Sequence, residues 1–143
     1  MGIEKVVYRA SARATGGRDG RGASSDGSLD LKLSTPKELG GAGGEGTNPE
    51  QLFAVGYAAC FHSALKVVGR REKVDVDGST VDAEVGIGPE DDGGFALQVA
   101  LTAALPHVDQ EAAERIVAAA HQVCPYSNAT RGNIDVTVRA IGG

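Results

Sequence analysis

Residues 47–62 read TNPEQLFAVGYAACFH. Asn48 can accept a hydrogen bond from a first-turn amide, Pro49 suits the first helical position, and Gln51 completes a capping-box-like pattern, so the spacing predicts a helix starting here. It should run to about Arg70 or Arg71. Between Leu52 and Phe61 the segment is apolar nearly all round, which marks a helix inside the domain or at an interface. Cys60 falls in that part. A buried thiol is ordinarily an inert packing residue, so any chemistry at Cys60 must come from what the rest of the chain brings near it.

Working outward, Val6, Tyr8, Ala10, Ala12 and Ala14 alternate with Lys5, Arg9 and Arg13, as a half-buried strand requires. Leu29, Leu31 and Leu33 alternate in the same way, predicting a second strand paired with the first across the loop GGRDGRGASSDG. The stretch TPKELGGAGGEG breaks regular structure before the helix. Beyond it, Val81 to Ile87 and Phe95 to Leu101 alternate on either side of PEDDGG and predict a hairpin. Pro106 and Asp109 open a second helix with apolar positions at Ala112, Ala113, Ile116, Ala119, Ala120, Val123 and Cys124, closed by Pro125. Ile134, Val136, Val138 and Ala140 predict a final strand. The order implies one α+β domain over residues 1–143, with helices packed on antiparallel sheet.

The bulk numbers exclude several function classes. Of 143 residues, 14 are Lys or Arg against 19 Asp or Glu, and no basic face emerges, so nucleic acid is not an expected partner. The opening MGIEKVVYRA lacks a signal-peptide core, and the apolar run Leu52 to Phe61 is too short to span a bilayer. We therefore expect a cytoplasmic protein without a membrane partner. Two cysteines in a reducing compartment are more often free or redox-active than a structural staple.

Three constellations compete for chemistry. Gly41, Gly43 and Gly46 match G-x-G-x-x-G, but no strand runs into them and the helix starts later, at Asn48, so a loop is the better reading. Cys60, His62, His121 and Cys124 are zinc-type ligands, yet Cys60 and His62, two apart on a helix, point to opposite sides. Last, the two cysteines either act on each other or are unrelated core residues. Burial disfavours a thiolate at Cys60, and Cys124 lies at a helix C-terminus, where the macrodipole opposes negative charge. A reactive Cys60 thus needs a cation from a loop: Arg18, Arg21 or Arg131. A buried arginine in turn needs a carboxylate, for which Glu50 is placed in the first turn of the same helix.

The segments GGEGTNPEQLFAVGYAACF (Gly43 to Phe61) and CPYSNATRGNI (Cys124 to Ile134), with TGGRDGR (Thr15 to Arg21) ahead of them, resemble the organic hydroperoxide resistance (Ohr) proteins of the OsmC superfamily. The likeness covers almost the whole chain. It departs at Ala42 and Val55, where proline and alanine are expected, and leaves the polar positions intact.

That resemblance implies an OsmC-like fold, with antiparallel sheets wrapped around two central helices in an intertwined homodimer. It implies a thiol peroxidase in which Cys60 attacks alkyl, aryl or fatty-acid hydroperoxides and becomes a sulfenic acid, Cys124 condenses with it to a disulfide, and Arg18 and Glu50 form the activating pair. The implied reductant is a dithiol on a lipoylated protein, and no metal, flavin or haem cofactor is implied. A disulfide requires Cα atoms within about 7 Å, which would fix the second helix against the first. Glu50 and Cys60, ten residues apart on one helix, differ by roughly 15 Å along its axis, so either Arg18 bridges much of that gap or the pair acts across a two-fold axis. The second arrangement is favoured because it also accounts for a helix apolar all round. Tyr126, Ser127, Asn128 and Arg131 carry no assigned chemistry beyond shaping the turn that presents Cys124.

Overall fold

The computed structural model describes residues 2–143, arranged as two compact units, residues 2–49 and Glu50–Gly143. The chain is mixed α+β with two three-stranded sheets.

In the first unit, β1 (Ala12–Thr15), β2 (Arg21–Ser24) and β3 (Asp30–Lys32) form an antiparallel sheet in that order. The sequence reading differs here in two ways. The alternation from Val6 to Ser11 has no partner strand among the described residues, so β1 is only its last part. The segment expected as a loop instead supplies β2, the central strand. Glycine weakens a strand on its own, but β2 is paired along both edges, and the ladder bonds outweigh the propensity. The turn between β1 and β2 is a single 3-10 turn, Gly17–Asp19, which carries Arg18. Gly16 enters it at φ 74, and a Cβ on Gly20 would lie 1.7 Å from the Thr15 carbonyl oxygen, so both ends of the turn require glycine. Asp19 anchors it by accepting the Thr35 amide at 3.0 Å. That amide and the Thr35 hydroxyl hold the Asp19 carboxyl below its ordinary value.

The second unit holds the core. Helix α1 (Pro49–Glu72) begins at the proline expected to start it. It buries Tyr57, Phe61, Ala64, Leu65 and Val68, a single stripe at helical spacing. Leu52 and Val55 lie off that stripe and are exposed in the single chain, Val55 at 69%. The whole helix, with hydropathy 1.4 over 18 residues, is long and apolar enough to cross a membrane, although the run Leu52 to Phe61 alone is not. A core helix of this length meets the same criterion, and the Tyr57 to Val68 stripe is packed into the core.

Strands β4 (Thr80–Pro89) and β5 (Phe95–Leu105) form the expected hairpin, and β6 (Val136–Gly142) pairs with β5. That last pairing is parallel, with Leu101 opposite Val138, where antiparallel sheet was expected. The reason is the connection: the chain leaves β5, crosses the sheet face through two helices and returns in the same direction. Those helices are α2 (Gln110–Val123) and α3 (Pro125–Thr130). Pro125 therefore does not only end α2; it takes the first position of α3, where its missing N–H costs nothing. Val99, Leu101, Ala103 and Leu105 of β5 meet Ala113, Ile116, Val117 and Ala120 of α2 and the buried stripe of α1 in one cluster. Asp109 caps α2 by accepting the Ala112 amide at 2.8 Å. Asp109→Ala should lower stability by about 1 kcal/mol, read as an earlier midpoint in denaturant titration.

Candidate active site

Cys60 is carried by α1 one turn beyond Tyr57, and Cys124 occupies the junction of α2 and α3. Pro125 forces the residue before it out of helical geometry, and Cys124 accordingly sits at φ −62, ψ 122, ending one helix and preceding the next. The two thiols are free, and their sulfurs lie 3.6 Å apart. A disulfide bond is about 2.05 Å, so closing it needs a relative movement of roughly 1.5 Å. Cys124 is fully buried, whereas Cys60 is partly exposed.

Burial pushes the Cys60 thiol up from its ordinary value; the Tyr126 amide pulls against this, and the neighbouring Cys124 thiol adds to the rise. The amide comes from the first turn of α3, so the turn after Cys124 delivers one N–H to the other sulfur. Its side chain completes an aromatic trio: the Tyr126 ring lies 6.0 Å from Phe53 and 5.7 Å from Tyr57, centroid to centroid. Gly56 lets it settle, since a Cβ there would meet the Tyr126 hydroxyl at 3.0 Å.

The remaining residues singled out in the sequence sit on several different elements. Arg18 lies in the 3-10 turn of the first unit, and Glu50 in the first turn of α1. Arg21 pairs with Asp30 at 2.7 Å on the exposed face of the first sheet. Arg131 donates to the His121 carbonyl and to Asn128, tying the end of α3 to the last turn of α2. His62 lies 2.9 Å from the Ser79 hydroxyl, while His121 bonds Ser127, so the four zinc-type residues do not converge on one point.

Tyr57, given no role in the sequence reading, joins Ser127 and His121 in a hydrogen-bonded group. The Tyr57 hydroxyl, fully buried, is 2.8 Å from Ser127 Oγ and 3.2 Å from Thr130 Oγ1. Ser127 Oγ is in turn 2.7 Å from His121 Nδ1. One signal was available: a tyrosine in an apolar helix must find a partner for its hydroxyl.

Residues 41–139 match the family described as OsmC-like protein. The chain is an OsmC-family protein. Within the family it lies on the organic hydroperoxide resistance branch. It is 60% identical over 136 residues to the organic hydroperoxide resistance protein of Xanthomonas axonopodis pv. citri (strain 306), covering 94% of this chain and 95% of that one. It is 45% identical to the organic hydroperoxide resistance protein OhrB of Bacillus subtilis (strain 168), covering 92% and 96%. The crystal structure of a putative organic hydroperoxide resistance protein from Vibrio cholerae, with captopril bound in one of its active sites, superposes with a TM-score of 0.91 at 54% identity, covering 96% of this OsmC-family chain and 94% of that structure.

Proposed function

We propose that this chain is a two-cysteine peroxidase that reduces organic hydroperoxides to alcohols. The observation that carries the reading is the 3.6 Å separation of two free thiols that differ in accessibility. The Cys60 thiolate attacks the terminal oxygen of the hydroperoxide. The O–O bond breaks, the alkoxide leaves and takes a proton, and Cys60 becomes a sulfenic acid. Cys124 then attacks that sulfur: an S–S bond forms, the S–O bond breaks, and hydroxide leaves as water with the Cys124 proton. A dithiol, by the family resemblance a dihydrolipoyl group on a partner protein, returns two electrons and two protons.

Burial raises the Cys60 thiol, so a nearby cation would favour its thiolate at neutral pH. Arg18 is the residue proposed to do so, oriented by Glu50. Cys60 packs against the apolar core that holds Tyr57, whose ring belongs to the trio with Phe53 and Tyr126, and such surroundings favour a hydrocarbon-bearing hydroperoxide over hydrogen peroxide. A homodimer fits the apolar surface that Leu52 and Val55 leave open on α1, and a stable, active monomer in gel filtration would count against it. A cytoplasmic location would supply the reducing dithiols.

The test is intact mass after one equivalent of cumene hydroperoxide. The reduced protein should promptly lose two hydrogens as Cys60 and Cys124 join. Cys124→Ser should instead retain one oxygen as a sulfenic acid at Cys60. A protein unchanged in mass would leave only two packing cysteines.

A further inference from the structure

A chain of hydrogen bonds, buried except at its His121 end, runs between the helices that carry the two cysteines. It starts at His121 Nδ1 on α2, passes through Ser127 Oγ on α3 at 2.7 Å, and reaches the Tyr57 hydroxyl on α1 at 2.8 Å, with Thr130 Oγ1 a further 3.2 Å contact. Tyr57 lies one turn before Cys60 on α1, while His121 and Ser127 lie three residues before and after Cys124, the first in the last turn of α2 and the second in α3.

The protons in this chain can be counted. Thr130 has one hydroxyl proton, which faces the Tyr126 carbonyl at 2.9 Å and the Ser127 carbonyl at 3.3 Å, so for all the contacts to be made together Tyr57 donates to Thr130. Ser127 must then donate to Tyr57, and His121 must donate to Ser127 from Nδ1–H. All the contacts are made together in this one arrangement. Burial and the neighbouring Arg131 charge both keep the imidazole from taking a second proton, and the Arg131 guanidinium on the His121 carbonyl binds α3 back to α2.

We propose that Tyr57, Ser127 and His121 are positioning residues for the second half-reaction: their hydrogen-bond chain holds α3 against both helices and so keeps Cys124 within closing distance of oxidised Cys60. The proposal rests on the peroxidase reading above. Ser127, fully buried, has no water to replace a lost partner, so removing either end loosens the turn on which Cys124 sits. In this role the chain acts through the backbone of α3 rather than on either sulfur.

The experiment is a single turnover with cumene hydroperoxide, following sulfenic acid by dimedone trapping and disulfide by mass. Two rates are read in each protein, formation of the sulfenic acid and its closure by Cys124. In Tyr57→Phe the ratio of closure to formation should fall about tenfold, with trapped sulfenic acid accumulating. His121→Asp, similar in size but without a donor, should do the same, while His121→Asn, which keeps a donor near the Nδ1 position, should retain the wild-type ratio. Asn and Asp are nearly equal in volume, so a packing defect would affect both, and thermal midpoints measured beside the rates report any separate effect of the Asp charge. A wild-type ratio in both Tyr57→Phe and His121→Asp overturns the proposal. If Tyr57→Phe does not fold, the pair at the partly exposed position 121 decides it. Absence of any disulfide in the wild-type protein would instead sink the peroxidase reading, and this inference with it.

Discussion

Cys60→Ser should consume no organic hydroperoxide above the uncatalysed rate. A serine hydroxyl in the same partly buried place has neither the acidity nor the polarisability of a thiol, and no neighbouring base on α1 would activate it. The assignment of the first step to Cys60 rather than Cys124 follows from access. Cys124 is fully buried behind its partner sulfur, whereas Cys60 retains some exposure. Cys60→Ser and Cys124→Ser should therefore behave differently: the first is inert from the outset, and the second completes one turnover and stops as a sulfenic acid. Peroxide consumption by an indicator dye, with circular dichroism to show that each variant is folded, separates the two. Substantial consumption by Cys60→Ser would transfer the first step elsewhere and dismantle the proposed order of events.

Arg18→Ala should lower kcat/KM for hydroperoxide at neutral pH by roughly ten- to a thousandfold, the range expected when a cation that depresses a pKa by one to three units is removed. The direction follows from the thiol. Burial raises the Cys60 pKa, so thiolate is scarce unless an opposite charge favours it. Loss of the guanidinium moves the titration to higher pH, and once the pKa exceeds the working pH the thiolate fraction falls tenfold for each further unit. Raising the pH should then restore much of the lost rate in Arg18→Ala while changing the wild type little. Arg18→Lys should fall between the two, since an ammonium supplies charge without the planar fork that a carboxylate such as Glu50 orients. A pH–rate profile for single-turnover sulfenic acid formation checks this. An unshifted profile in Arg18→Ala would show that the thiolate is held by something other than this arginine.

The legible parts of the fold were those fixed by local pattern. Pro49, the apolar spacing after it and the alternations on either side of PEDDGG gave α1, β4 and β5 with little error, because helix and strand periods follow from backbone geometry alone. β2 was hidden because Gly22 and its small neighbours carry no strand propensity; their pairing on both edges is a non-local fact. The parallel pairing of β6 was hidden for a related reason. Alternation marks which face of a strand is buried, and says nothing of the direction in which its neighbour runs.

The site divides along the same line. The chain by itself determined its residue types: two cysteines, one in an apolar helix and one before a proline, and loop arginines able to supply a charge. Only the tertiary structure decided that the two sulfurs stand 3.6 Å apart, since two residues separated by more than sixty positions meet only where α1 and the α2–α3 junction pack on the same sheet. It also decided the fate of the Tyr57 hydroxyl. In sequence Tyr57 reads as one more apolar residue of the core stripe, but burial obliges its oxygen to find Ser127 and Thr130, and that obligation is set by the absence of water around it.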